Sequence, residues 1–113
     1  MAEIETQYPG YPLPAVLPVA PLPTVLAAIQ DPVRLEMLRR LGNAGAPLRC
    51  SALYETVSKS TAAHHFKILR EAGLTERVII DGQTWQLLRS DDVDAALPGL
   101  LDAVLGAANR VSE

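Results

Sequence analysis

The chain has one cysteine, Cys50, which excludes an intramolecular disulfide and any metal site built on a cysteine pair. Histidine is almost as scarce: His64 and His65 are adjacent, and none follows them. No apolar run approaches the ~20 residues that a membrane span requires, because proline or charge interrupts each one. The N-terminus lacks the basic start, unbroken apolar stretch and small-residue cleavage site of a secretory leader, and opens with Glu3 and Glu5 instead. A cytoplasmic location without membrane association is expected. A glycine-rich phosphate loop is also missing, and no spacing suggests a nucleophile with a base and an orienting group. The chain is therefore not expected to be an enzyme.

At 113 residues the chain has room for one core. Its net charge of −3 is unevenly spread. Residues 1–31 carry Glu3, Glu5 and Asp31 and no Lys or Arg, while residues 90–113 carry five acids (Asp91, Asp92, Asp94, Asp102, Glu113) against Arg110. The middle, residues 32–89, holds nine Lys or Arg and five acids, a local balance of +4. A segment of that sign can face phosphate, although an ordinary solvated surface explains the charge alone equally well.

Six of the nine prolines fall within residues 7–23. They remove backbone donors and push their predecessors out of helical geometry, so residues 1–22 are expected to form an extended, mobile arm. A domain is expected over 23–110, followed by a tail at 111–113. Thr24 can cap a short helix through Val25, Leu26, Ala28 and Ile29. Asp31-Pro32 starts the next, with Leu35, Leu38 and Leu41 inward and Gly42 and Asn43 as its stop. After the Gly45-Ala46-Pro47 turn, a short helix is expected over 49–55 with Ala52 and Leu53 inward.

The segment from Ser58 to Ala72 is the most informative. With Ser58 as cap, a helical wheel puts Ala62, His65, Phe66, Ile68, Leu69 and Ala72 on one side and Ser60, Ala63, His64, Lys67 and Glu71 on the other. Gly73 is suited to the left-handed residue that ends such a helix. Two β-leaning runs, 75–80 and 83–88, flank Asp81-Gly82, which specifies a tight hairpin. Ser90 can cap an acidic turn, and Pro98 can start a last helix bearing Leu100, Leu101, Val104, Leu105 and Ala108. The predicted fold is mainly α with a β-hairpin wing, the layout of a winged helix-turn-helix. The stripe on the last helix, through Leu100, Leu101, Val104 and Leu105, predicts a seam between subunits.

A helix with short hydroxyls and an imidazole near its start and longer cations beyond can enter a major groove and still reach phosphate. That places Ser60 and His64 toward base edges with Thr61 beside them and Ser58 at the cap of the DNA-binding helix, and Lys59, Lys67 and Arg70 toward the backbone of double-stranded DNA. Arg77 and Gln83 on the hairpin can reach the adjacent minor groove or phosphates.

The segment Asp31-Pro32-Val33-Arg34-Leu35, followed by Ser58-Lys59-Ser60-Thr61-Ala62-Ala63-His64-His65-Phe66-Lys67-Ile68-Leu69-Arg70-Glu71-Ala72-Gly73-Leu74, resembles the ArsR/SmtB family of bacterial regulators over roughly residues 24–108. The resemblance implies a homodimer joined through its first helix (Val25, Leu26 and Ile29) and its last, each recognition helix on half of a palindromic operator, and control by a small signal, usually a metal ion. Ala63 departs from the serine that many members carry, which bears on the operator sequence and not on the binding mode. The metal ligands of sensing relatives, cysteine pairs or Asp, His and Glu sets on the final helix, are not matched. At most weak nickel or zinc binding is expected, with no cofactor. Sensing is then lost, replaced by an organic ligand, or moved to a separate sensor protein, as in a nickel-linked actinobacterial type within this family.

His65, on the apolar side, reads as a hydrogen-bonded core residue and not as a ligand. Cys50 reads as a small buried residue, and the Asp91, Asp92, Asp94 cluster as helix capping. Two rivals remain: a winged helix used for protein interaction, with the Pro-rich arm docking a partner, and a metalloregulator with a site shared across the dimer through Cys50 or His64.

Overall fold

The computed structural model describes residues 7–8, 11–12 and 16–111. Within the stretch expected to be an extended arm, Gln7–Tyr8 (β1) and Tyr11–Pro12 (β2) pair antiparallel. The remainder of residues 1–15, and the tail residues 112–113, lie outside the described residues.

Helix α1 spans Leu22–Ile29, so it starts ahead of Thr24, which caps nothing. Its cap position is Pro21, and proline in the first turn is tolerated because the amides there have no helical acceptor in any case. Helix α2, Pro32–Ala44, begins as expected: the Asp31 carboxylate accepts from the amides of Val33 at 2.8 Å and Arg34 at 3.1 Å. It does not stop at Gly42. The left-handed residue is Gly45, at φ 62°, and Gly42 instead lies where the last helix approaches closely. A β-carbon there would lie 2.6 Å from Leu105 Cδ1.

The expected helix over 49–55 is absent. Leu48–Arg49 forms a short strand, β3, and Cys50–Ala52 a single 3-10 turn. Leu53 is buried, but Ala52 is exposed. Helix α3 runs Lys59–Glu71, with the Ser58 hydroxyl oxygen accepting from the Thr61 amide at 3.2 Å. Gly73, at φ 79°, closes it, and the Leu74 amide returns to the Leu69 carbonyl at 3.0 Å. Strands β4 (Thr75–Ile80) and β5 (Gln83–Leu88) then pair in register from Thr75↔Leu88 to Ile80↔Gln83. Asp81 and Gly82 both have positive φ, 51° and 75°, which the tight hairpin turn requires. β3 adds to the free side of β5, giving the order β3-β5-β4.

Helix α4, Ser90–Ala96, holds Ser90 inside its first turn; Arg89 occupies the cap position and makes no side-chain capping bond. Gly99, at φ 81°, separates it from helix α5, Leu100–Val111, so the last helix starts after Pro98 and not at it. The core is the meeting of α1, α2 and α3 with the base of the hairpin: Val25, Met37, Leu38, Leu41, Leu53, Phe66, Leu69, Leu74 and Val93 are all buried. Each such side chain contributes roughly 1.5–3 kcal/mol by leaving water. Leu35, expected inward with Leu38 and Leu41, is only half-buried.

Candidate nucleic-acid interface

The α3 wheel is realised as two faces. Ala62, His65, Phe66, Leu69 and Ala72 are buried and Ile68 is half-buried, while Ser60, Thr61, Ala63, His64, Lys67 and Glu71 are exposed. Ser58 and Lys59 are exposed just before them. Ser58 Oγ lies 3.2 Å from Ser60 Oγ and donates to Thr61 Oγ1 at 3.0 Å, so the hydroxyls at the helix start form one connected group. His65 has the core role expected of it: it is 9 % exposed, and its Nδ1 accepts from Arg34 Nη1 at 3.0 Å.

Arg70 and Arg77, expected to reach the DNA backbone or the adjacent groove, are less open than Lys59 and Lys67. Both arginines are half-buried, and β4 packs on α3 where they meet. Burial, and then the nearby Arg77 charge, hold Arg70 below the ordinary arginine pKa, with Glu71 and Cys50 opposing. Arg77 Nε is buried without a partner. Among the described residues no salt bridge involves Lys59, Lys67, Arg70 or Arg77. By contrast Arg39 and Arg40 are tied to Glu36, Arg40 also to Glu55, and Arg89 to Asp92. Of the cations outside those ion pairs, Lys59, Lys67, Arg70 and Arg77 lie on or beside α3, where an anion can approach them.

Gln83 is exposed at the end of the hairpin loop. Sequence reasoning missed Arg49, an exposed cation whose guanidinium carbon lies 5.8 Å from the centroid of the Trp85 ring. The pairing Arg49↔Trp85 depends on β3, for which the sequence offers no local signal. Cys50 is half-buried, with Gln86 Nε2 donating to its Sγ at 3.6 Å. Gln86 is buried in the central strand, between Leu48 of β3 and Arg77 of β4.

The apolar seam is redistributed. Val25, Ile29 and Leu101 are buried within this chain's own core, which already covers them. Leu26 on α1 is 45 % exposed, and Leu100, Val104 and Leu105 on α5 are half-buried. An open groove of about 460 Å³ runs between α2 and α5, with Leu35, Val104, Ala107 and Ala108 in its walls and Glu36 and Arg39 at its rim.

The arrangement is that of a winged helix-turn-helix DNA-binding domain, with α3 as the recognition helix and β4–β5 as the wing. A helix-turn-helix domain family matches residues 29–78. An uncharacterized HTH-type transcriptional regulator of Bacillus subtilis, YceK, is 37 % identical over 82 residues, which is 71 % of this chain and 82 % of the relative. Two solved structures share the fold. An ArsR-like transcriptional regulator from Rhodococcus is 26 % identical with a TM-score of 0.56, covering 81 % of this chain and 92 % of the other. The transcriptional repressor BigR from Xylella fastidiosa is 20 % identical with a TM-score of 0.58, covering 76 % and 84 %. The chain belongs to the ArsR-like family of winged helix-turn-helix transcriptional regulators, a family of DNA-binding proteins and not of enzymes.

Proposed function

We propose that this chain binds a palindromic operator in double-stranded DNA as a homodimer, in the cytoplasm, and that it does so without a high-affinity metal site of its own. The observation that carries the reading is the exposed face of α3, where Ser60, Thr61, His64 and Lys67 stand clear of the protein beyond the Ser58 cap. Short polar groups at the helix start suit base edges, and Lys59, Lys67, Arg70 and Arg77 suit phosphates on either side. Gln83, with Arg77, gives the wing its contact with the neighbouring groove.

Dimerisation through α1 and α5 is supported by exposed Leu26 and by the half-buried Leu100, Val104 and Leu105, with Val25, Ile29 and Leu101 supporting that surface from beneath. Two recognition helices would then meet half-sites about 34 Å apart, one duplex turn. The donor set supports external control. His65 Nδ1 is occupied by Arg34, His64 lies on the opposite face of the same helix, and Cys50 is engaged by Gln86. Three or four ligands converging on one ion are not available from these side chains. The signal is then read by a separate sensor protein, which acts on the DNA-bound dimer. Among the described residues no helix is long and apolar enough to cross a membrane.

The test is fluorescence anisotropy with a duplex from the chain's own upstream region, titrated at rising salt. Tight binding whose logarithm falls linearly with the logarithm of salt concentration supports the reading. Binding that is indifferent to salt, or equal for unrelated duplexes, contradicts operator recognition.

A further inference from the structure

We propose that Arg34 and His65 form a proton-sensitive latch that seats the recognition helix, so that mild acid releases the chain from DNA; the second half of this inference rests on the DNA-binding reading of α3. Arg34 reaches three elements at once. Its own backbone is in the first turn of α2, its Nε donates to the Ala28 carbonyl at 2.6 Å, and its Nη2 to the Ala27 carbonyl at 3.4 Å, both in α1. Its Nη1 donates to His65 Nδ1 at 3.0 Å, in the middle of α3. The latch is therefore the polar tie between the α1–α2 scaffold and the helix that presents Ser60, His64 and Lys67.

Chemistry fixes the protonation state that this tie tolerates. A guanidinium carries donors only, so His65 Nδ1 must offer its lone pair, and the ring must be neutral with its proton on Nε2. A second proton has to go on Nδ1. That turns the acceptor into a donor facing another donor, and sets an imidazolium against a guanidinium in a site that is 9 % exposed. The hydrogen bond cannot survive, and the two side chains must separate.

Asp31, Glu71 and His64 are the other charged or titratable groups around the pair. Asp31, at the start of α2, attracts both Arg34 and His65, but its carboxylate is engaged by the Val33 and Arg34 amides and makes no hydrogen bond to the ring. Glu71 lines the same cleft as Arg34, together with Thr24, Ala27, Ala28, Ile68 and Ala72. Helix α1 carries no titratable side chain and meets Arg34 with the Ala27 and Ala28 carbonyls. The His64 ring lies 6.0 Å from the His65 ring, centroid to centroid, and is exposed. His64 acts in the opposite sense, since its protonation adds a positive charge on the DNA-facing side.

The experiment removes that opposing residue first. Full-length His64→Gln protein is titrated with the upstream duplex at constant ionic strength between about pH 7.5 and about pH 5.5, the range in which imidazoles change charge. Affinity is expected to fall by up to about tenfold per pH unit for each subunit whose latch takes up its proton. In His64→Gln/His65→Asn the amide oxygen stands in place of Nδ1 and accepts from Arg34 at any pH, so the profile is expected to be flat. Parallel profiles in the two proteins overturn the proposal. Nitrogen spectra of the wild-type imidazoles supply a readout that does not depend on DNA or on a variant: His65 is expected as the neutral Nε2–H tautomer at pH 7.5, and the protection of the α3 amides, taken relative to the intrinsic exchange rate at each pH, is expected to fall on acidification. An Nδ1–H tautomer, or α3 protection unmoved by acid, sinks the latch. Failure of every duplex to bind at any pH would overturn the DNA reading instead, and these spectra would still decide the latch.

Discussion

Gly73, which ends the recognition helix, lies directly beneath the Pro18 backbone: a β-carbon on it would come within 2.4 Å of the Pro18 carbonyl oxygen and 2.6 Å of Val19 Cα. The segment before α1 is therefore fastened to the end of α3. The Ala20 amide donates to the Ala72 carbonyl at 2.9 Å, and Arg89 Nη1 donates to the carbonyls of both Leu17 and Gly73. The last residues of the Pro-rich segment, expected to be mobile, are held by the C-terminal end of α3 and by Arg89, both far along the chain.

Gly73→Ala is expected to destabilise the domain by more than the ~1–2 kcal/mol that a left-handed conformation costs an L-residue. Gly45→Ala provides the reference, because Gly45 shares the positive φ but has nothing within 4 Å of its would-be β-carbon. Urea unfolding of the two variants checks this. The excess in Gly73→Ala reports displacement of residues 18–20, and equal losses would show that the contact contributes nothing.

Lys67→Ala is expected to weaken binding to all duplexes alike and to flatten the salt dependence by about one phosphate contact, a change of ~0.9 in slope per subunit. His64→Ala is expected instead to alter preference among duplex sequences. Competition anisotropy with a set of single-base operator variants separates the two. An unchanged order of preference in His64→Ala would remove that residue from base recognition.

The seam on α1 and α5 leads to two different outcomes from glutamate substitution. Leu26→Glu with Val104→Glu changes exposed and half-buried positions, and is expected to give folded monomers that bind DNA weakly. Leu101→Glu places a charge at a position only 6 % exposed, and is expected to unfold the chain. Light scattering and circular dichroism distinguish them. A dimeric Leu26→Glu/Val104→Glu protein would put the interface elsewhere.

Glu36 links acid stability to α2. Hydrogen bonds from Arg39 above all, and then from Arg40, pull its carboxyl down to about 2 against the opposing push of burial. A depressed carboxyl pKa gives stability that is complete above its ordinary value of 4.5 and is lost as pH falls toward about 2. Glu36→Gln is expected to be less stable than the wild type near neutral pH, by on the order of 1 kcal/mol after solvent screening. The gap should close between those two pH values, and urea midpoints across that range would show it. A gap independent of pH would assign the loss to packing.

The features legible in the sequence are those whose cause is local. Asp31-Pro32, Ser58 and Asp81-Gly82 act on amides or dihedrals within three residues, and each does in the structure what its chemistry dictates. The two faces of α3 follow from periodicity alone. What escaped notice depends on partners far along the chain. β3 exists because Leu48 and Arg49 pair with Gln86 and Trp85, and two residues carry no strand pattern of their own. Gly42 looked like a helix stop because Leu105, the residue that approaches it closely, lies on another helix. Leu101 was assigned to a surface stripe because periodicity marks an apolar face without saying whether the same chain covers it. The core character of His65 was readable from its neighbours on the wheel, but Arg34 as its partner was not, since that pairing needs α2 laid across α3.

Amide chemical-shift mapping of the full chain against a duplex from its own upstream region examines the central claim most directly. Shifts are expected to concentrate from Ser58 to Lys67, with a second set at Arg77 and Gln83 on the wing and little change along the outer face of α4. Perturbations confined to α1 and α5, with α3 silent while the duplex is bound, would contradict the assignment of α3 as the element that reads DNA.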